Sequence, residues 1–204
     1  MPPTAAPHPT TTAPAPRSAV PAAFTPARFT LEQYHAMGEA GVLTPADRVE
    51  LIDGVVTRKP IKGPLHNYVV KLLHGRLSTV AGDGAHVQQE GPVVLLTSEP
   101  EPDFAVVRGT PADYRTRNPS GTDCLLVIEV SDTTLARDAY KAALYAKAGV
   151  PAYWIVDVNC RRVIAHRGPT PEGYADASDG GGASIDLPGG RLTVSADDLL
   201  GDIA

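Results

Sequence analysis

The chain has 204 residues, 43% of them hydrophobic, a formal net charge of −5 and a pI near 5.6. That length supports one ordinary core and is short for two domains. The acidic balance excludes the global positive field of a typical nucleic-acid-binding domain, while leaving room for a local basic groove.

No apolar run nears the roughly 18 residues of a membrane span, and the N-terminus lacks the apolar segment of a signal peptide. Cys124 and Cys160 have no C-x-x-C spacing. A soluble cytoplasmic protein with free thiols and no membrane partner is expected. Residues 1 to about 26 are rich in Pro, Ala and Thr, with almost no large apolar side chain. Burial there cannot offset the entropy of ordering, so residues 1–27 are expected to form a disordered arm ahead of one domain over 28–204. A proline-rich docking segment is the alternative, but it lacks flanking basic residues beyond Arg17.

Thr30 followed by Gln33 resembles a capping box, and Leu31, Tyr34 and Met37 supply an apolar stripe that stops at Gly41, which predicts a first helix. Residues 49–53 read as a strand. Asp53-Gly54 is a two-residue hairpin signal that returns the chain through Val55 and Val56, so Glu50 lies on a hairpin arm. After Pro64, the residues Leu65, Val69, Leu72, Leu73, Leu77 and Val80 recur at helical spacing up to Gly82. Strand-like runs follow at 85–89, 93–97, 104–107 and 125–130, the last apolar on both faces, which favours the middle of a mixed sheet covered by helices. Ser131 to Thr134 offer N-caps to a helix over 135–148, ended by Gly149 and Pro151, with a crossover to a strand over 153–158. On that helix Leu135, Ala139, Ala142, Ala143 and Ala146 form a small-residue stripe suited to packing on a sheet, with Asp138, Lys141 and Tyr145 on the adjoining face. Tyr153 and Trp154 are expected to fill the core. The chain then hairpins back through 162–165, Gly180 to Gly182 reads as a mobile loop, and 192–200 as a final strand and short helix.

Asp103 and Glu129 occupy the same point on two apolar strand-like runs, and Lys141 follows on the next helix. Burying an acid on an apolar strand is costly unless a positive charge compensates it, and a divalent cation between two such strands would compensate both. The trio therefore suggests a metal-dependent phosphodiesterase. Each residue also has a plainer reading: Pro-Asp is common in turns, Lys141 in isolation is a solvated helix residue paired with Asp138, and His66 in isolation is a surface or capping histidine. Glu129, inside an apolar run, is the hardest to explain structurally. No zinc spacing and no phosphate-binding glycine loop occurs.

Glu50 to Gly54, Pro64 to His66, Pro102-Asp103, Leu126 to Ser131, Asp138-x-x-Lys141, Tyr145 and Gly149 to Asp157 together resemble the Uma-two family of restriction endonucleases, in order and spacing over roughly residues 28–203. That family belongs to the PD-(D/E)XK nuclease superfamily. The resemblance implies an α/β fold, a restriction-endonuclease-like mixed sheet flanked by helices. It also implies a magnesium-dependent endonuclease acting on DNA, with manganese as a substitute. Glu129-Val130-Ser131 ends in Ser where the superfamily triplet has Lys, and Lys141 is the matching position in the resembled family. On this reading Asp103, Glu129 and the Val130 carbonyl hold the metal, and Lys141 orients the attacking water or stabilises the phosphate. Glu50 binds metal or positions water, and His66 contacts substrate. Cutting both strands of a duplex would suit a homodimer. The alternative is a nuclease-like scaffold that binds protein or nucleic acid without cutting, motivated by the acidic balance.

Overall fold

The structure is a computed structural model and describes residues 25–201; the expected arm lies outside the described residues up to residue 24. Helix α1 (Leu31–Glu39) starts on the capping box, the Gln33 N–H donating to Thr30 Oγ1 and the Thr30 N–H to Gln33 Oε1. Strands β1 (Val49–Ile52) and β2 (Val55–Arg58) form the hairpin. Asp53 and Gly54 both take positive φ, 47° and 74°, as a two-residue type I′ turn demands. Helix α2 (Pro64–Val80) begins with proline at its first position, where the missing N–H costs nothing, and buries Val69, Val70, Leu73 and Leu77.

Six strands make the main sheet: β3 (Ala85–Gln89), β4 (Phe104–Arg108), β5 (Cys124–Ser131), β6 (Ala152–Asp157), β7 (Arg162–Thr170) and β8 (Gly173–Gly180), side by side in that order. Every neighbouring pair is antiparallel except β5 and β6. A parallel pair cannot be joined by a tight turn, and helix α3 (Leu135–Lys147) supplies the crossover. The two-residue period of the strands sorts their side chains into two cores. Phe104, Val106, Leu126, Ile128, Trp154 and Val156 pack with α2, whereas Ala105, Val107, Val127, Tyr153 and Ile155 pack with Tyr145 of α3. Each fully buried Leu or Ile contributes roughly 1.5–3 kcal/mol. A second hairpin, β9 (Gly182–Leu187) and β10 (Gly190–Ser195), with helix α4 (Ala196–Leu200), closes the α2 side through Leu187, Leu192, Val194 and Leu199. The architecture is the expected mixed sheet flanked by helices. No helix among the described residues is long and apolar enough to cross a membrane.

Three expectations need correction. Residues 93–97 are not a strand: the Val93 N–H donates to the Pro100 carbonyl, the Leu95 N–H to the Ser98 carbonyl, and Val94 makes only an isolated bridge to Ser120. Their apolar run reflects burial of Val93 and Leu95 in the α3-side core without ladder pairing. Gly180 to Gly182 is a tight junction, with Gly180 closing β8 and Gly182 opening β9. A Cβ on Gly182 would stand 2.8 Å from the Val194 carbonyl oxygen, so glycine there permits close strand approach. Strand β8 escaped the sequence reading because most of its residues are exposed and carry no hydrophobic alternation. The third correction, the buried face of α3, bears on the site.

Candidate active site

Antiparallel register places the two strand acids together. Phe104 pairs with Ile128, so the next residues outward, Asp103 and Glu129, stand opposite each other. The Asp103 N–H lies 3.4 Å from Glu129 Oε2. Both are buried, 3% and 6% exposed, which makes their compensation obligatory. Asp103 Oδ2 accepts from the Val130 N–H at 2.8 Å and lies 3.1 Å from His66 Nε2, near the start of α2. Asp103 Oδ1 accepts from Lys62 Nζ at 2.7 Å.

Helix α3 turns Asp138, Lys141, Tyr145 and Ala146 to the interior, while Ala139 of the expected small-residue stripe is exposed. Leu135, Ala142 and Ala146 of that stripe do pack on the sheet, and Asp138 and Lys141 are buried as well because they meet charged or hydrogen-bonding partners. Lys141 Nζ donates to Glu129 Oε1 at 2.8 Å and lies 3.4 Å from Glu50 Oε1. The simpler pairing of Lys141 with Asp138 is not what forms. Asp138 instead accepts from the Thr134 hydroxyl, and its backbone carbonyl accepts from the Tyr153 hydroxyl at 2.9 Å. Glu50, on β1, is fully engaged: Arg137 donates to Oε1 and the Glu101 N–H donates to Oε2 at 3.0 Å.

The electrostatics follow from burial set against these partners. Burial raises the Asp103 pKa, but His66 and Lys62 outweigh it and hold the carboxyl below its ordinary value, so the His66 Nε2–H is the donor in their contact. Glu50 is likewise held down: burial opposes, and Lys141, Arg137 and the Glu101 amide prevail. Glu129 goes the other way. Burial pushes it well above the carboxylate range, Lys141 opposes, and Asp138 and Asp103 add to the rise. Burial also raises Asp138. Lys141 stays protonated because Glu129 and Glu50 overcome its desolvation. Of the group's four acids, Glu129 and Asp138 are thus the two whose burial the nearby cations do not outweigh.

Glu50, His66, Asp103, Asp138 and Lys141 line one cavity of about 80 Å³, room for a few waters, whereas Glu129 does not line it. The structure brings all five sequence-predicted residues, Glu50, His66, Asp103, Glu129 and Lys141, into one connected set. His66 Nδ1 is buried and finds no hydrogen-bond partner among the described residues. Sequence reasoning missed Lys62 and Arg137. Arg137 stands one helical turn before Lys141, a spacing that would have found it. Lys62, in the loop before α2, carries no local signal. No group of three His, Cys, Asp or Glu side chains among the described residues is placed to hold a metal ion.

No curated protein matches the chain. A crystal structure of a putative nuclease belonging to DUF820, from Anabaena variabilis ATCC 29413, matches with a TM-score of 0.64 and 17% sequence identity, covering 84% of this chain and 97% of that one. At that identity the likeness establishes the fold alone. The family model of Uma2, described as "Putative restriction endonuclease", matches residues 31–195, a span that holds both strand acids, α3 and the whole main sheet. That span is more than half of the chain, and the chain belongs to the Uma2 family.

Proposed function

We propose that the protein is a magnesium-dependent endonuclease that hydrolyses phosphodiester bonds in DNA, with Asp103 and Glu129 as metal ligands and Lys141 as the catalytic cation. One observation carries the reading: two buried acids stand opposite each other on adjacent strands, the Asp103 N–H 3.4 Å from Glu129 Oε2, with the Lys141 ammonium 2.8 Å from Glu129 and a cavity lined by Asp103 and Lys141. The family description and the neighbour's name point to the same reaction class.

The residues suit a hard divalent cation. Their donors are carboxylate oxygens, the ligand type magnesium prefers, and burial leaves Glu129 short of compensating charge. With only two side-chain acids to offer, the site would complete an ion's shell with water and backbone oxygen such as the Val130 carbonyl; manganese, which takes the same donors, should substitute. Bound there, the ion supplies Lewis acidity toward a phosphoryl oxygen and a more acidic water.

The chain's own groups do the rest. Glu50 and Glu129 hold the Lys141 ammonium at one point, so its charge meets a phosphate without the cost of reorganisation. Arg137 donates to Glu50, Thr57 and the Arg58 carbonyl, and so fixes α3 against the β1–β2 hairpin. His66 donates to Asp103 Oδ2, which orients the carboxylate; contact between its ring and substrate belongs to the same proposal. A homodimer with two sites about a two-fold axis would cut both strands of a duplex.

The test is cleavage of plasmid and duplex oligonucleotide with magnesium or manganese by wild type, Asp103→Ala and Glu129→Ala. Wild type should cut and neither variant should. Cleavage that persists in both variants would expose a contaminating nuclease. A wild type that neither cuts nor binds the ion would overturn the reading in favour of a non-cutting scaffold.

A further inference from the structure

Two lysines cover the two strand acids, and they are held in different ways. Lys141 is clamped between Glu129 and Glu50, whose side chains are both nearly inaccessible. Lys62 is held between an inner and an outer acid: Asp103 Oδ1 at 2.7 Å, its side chain 4% exposed, and Glu90 Oε1 at 2.8 Å, its side chain 50% exposed. Lys62 is the only hydrogen-bond donor on Asp103 Oδ1 among the described residues, since Val130 and His66 both address Oδ2.

The loop that carries Lys62 is built to give way. Lys59 anchors its start through its N–H to the Arg48 carbonyl, and the Gly63 carbonyl anchors its end by accepting the Asn67 N–H. Among the described residues no backbone-to-backbone hydrogen bond engages residues 60–62. Ile61 stands 86% exposed, so little burial resists a shift of the loop.

We propose that Lys62 is the exchangeable counter-ion of Asp103: its ammonium occupies the carboxylate oxygen that a divalent cation would take, and it withdraws toward Glu90 and the cavity mouth when an ion binds. This rests on the reading of Asp103 as a metal ligand. Lys62 then positions and gates the site, sparing Asp103 an uncompensated charge while no ion is present and leaving a cation at the mouth once one is.

The experiment is calorimetric titration of magnesium alone into wild type, Lys62→Met, Lys62→Arg and Asp103→Ala, without nucleic acid. Removing the competing charge should tighten magnesium binding by Lys62→Met roughly tenfold, whereas Lys62→Arg, which keeps the charge, should stay near wild type. A second readout uses wild type: acetylation of Lys62, followed by mass spectrometry, should rise several-fold at saturating magnesium as the amine leaves Asp103. This readout decides the matter even if Lys62→Met fails to fold. Equal magnesium affinity in wild type and Lys62→Met, with binding lost in Asp103→Ala, overturns the exchange and leaves the metal site standing. Unchanged Lys62 labelling at saturation overturns it as well. Absence of binding in every protein overturns both the exchange and the reading beneath it.

Discussion

Lys141 Nζ sits 2.8 Å from Glu129 Oε1, a contact made over twelve residues of chain as β5 ends and α3 turns back across it. Lys141 also faces Glu50, so one ammonium serves two buried carboxylates. Replacing it with methionine strips Glu129 of its cation and leaves Glu50 to Arg137 alone, and an uncompensated buried charge of this kind costs roughly 3–5 kcal/mol. Urea unfolding of Lys141→Met should show that loss, and adding Glu129→Gln should recover part of it. A double variant no more stable than the single one would refute the coupling.

Asp103 has a structural duty as well as its proposed chemical one, because Oδ2 accepts the Val130 N–H. Asp103→Asn keeps an acceptor and should fold, with cleavage reduced by roughly 10³-fold if the charge supports the reaction as proposed. Asp103→Ala leaves the amide unpaired and should lose about 1–3 kcal/mol in addition. Thermal melting and plasmid cleavage, measured together, separate the two effects.

Of the two free cysteines, Cys124 is buried in β5 and Cys160 is exposed. Burial pushes the Cys124 thiol up to about 12, so it holds almost no thiolate at pH 8. Iodoacetamide should add one label to the folded chain, at Cys160, and two in denaturant. Rapid labelling of Cys124 in the native protein would contradict its burial.

His166 lies between the rings of Tyr153 and Tyr174, and burial holds its pKa below the ordinary histidine value. The folded state thus favours the neutral ring. Its contribution to stability is present above the unfolded pKa of about 6.5 and declines as pH falls through that value toward the lower folded one. Unfolding free energies measured from pH 7 to pH 5 should fall less steeply in His166→Phe than in wild type. Parallel slopes would remove His166 from the acid response.

Gly82, just past α2, has φ +67°, and a Cβ there would stand 2.4 Å from Gly189 Cα in the turn between β9 and β10. The backbones touch, so an added methyl must push the second hairpin off α2. Gly82→Ala should cost about 1–3 kcal/mol, read by chemical denaturation. Wild-type stability would show that the junction can shift freely.

Local features were legible wherever one short segment carried the whole signal. The Thr30–Gln33 capping box, the Asp53-Gly54 turn, the period of α2 and the doubly apolar β5 each depend on neighbours in the chain, and each formed as expected. Residues 93–97 misled because burial without pairing leaves the same apolar pattern as a strand. On α3, Leu135, Ala142 and Ala146 packed as expected, but the buried acids on β1 and β5 also drew Lys141 inward, and Ala139 was left exposed.

The sequence by itself determined helices α1 to α3, the β1–β2 hairpin and strands β3 to β6, and the fact that Asp103 and Glu129, set in apolar strands, would need positive charge nearby. It could not name every supplier. Lys62 reaches Asp103 across 41 residues and Arg137 reaches Glu50 across 87. Such pairings obey distance in space, which the β4–β5 register and the seating of α3 decide, and no period along the chain encodes them.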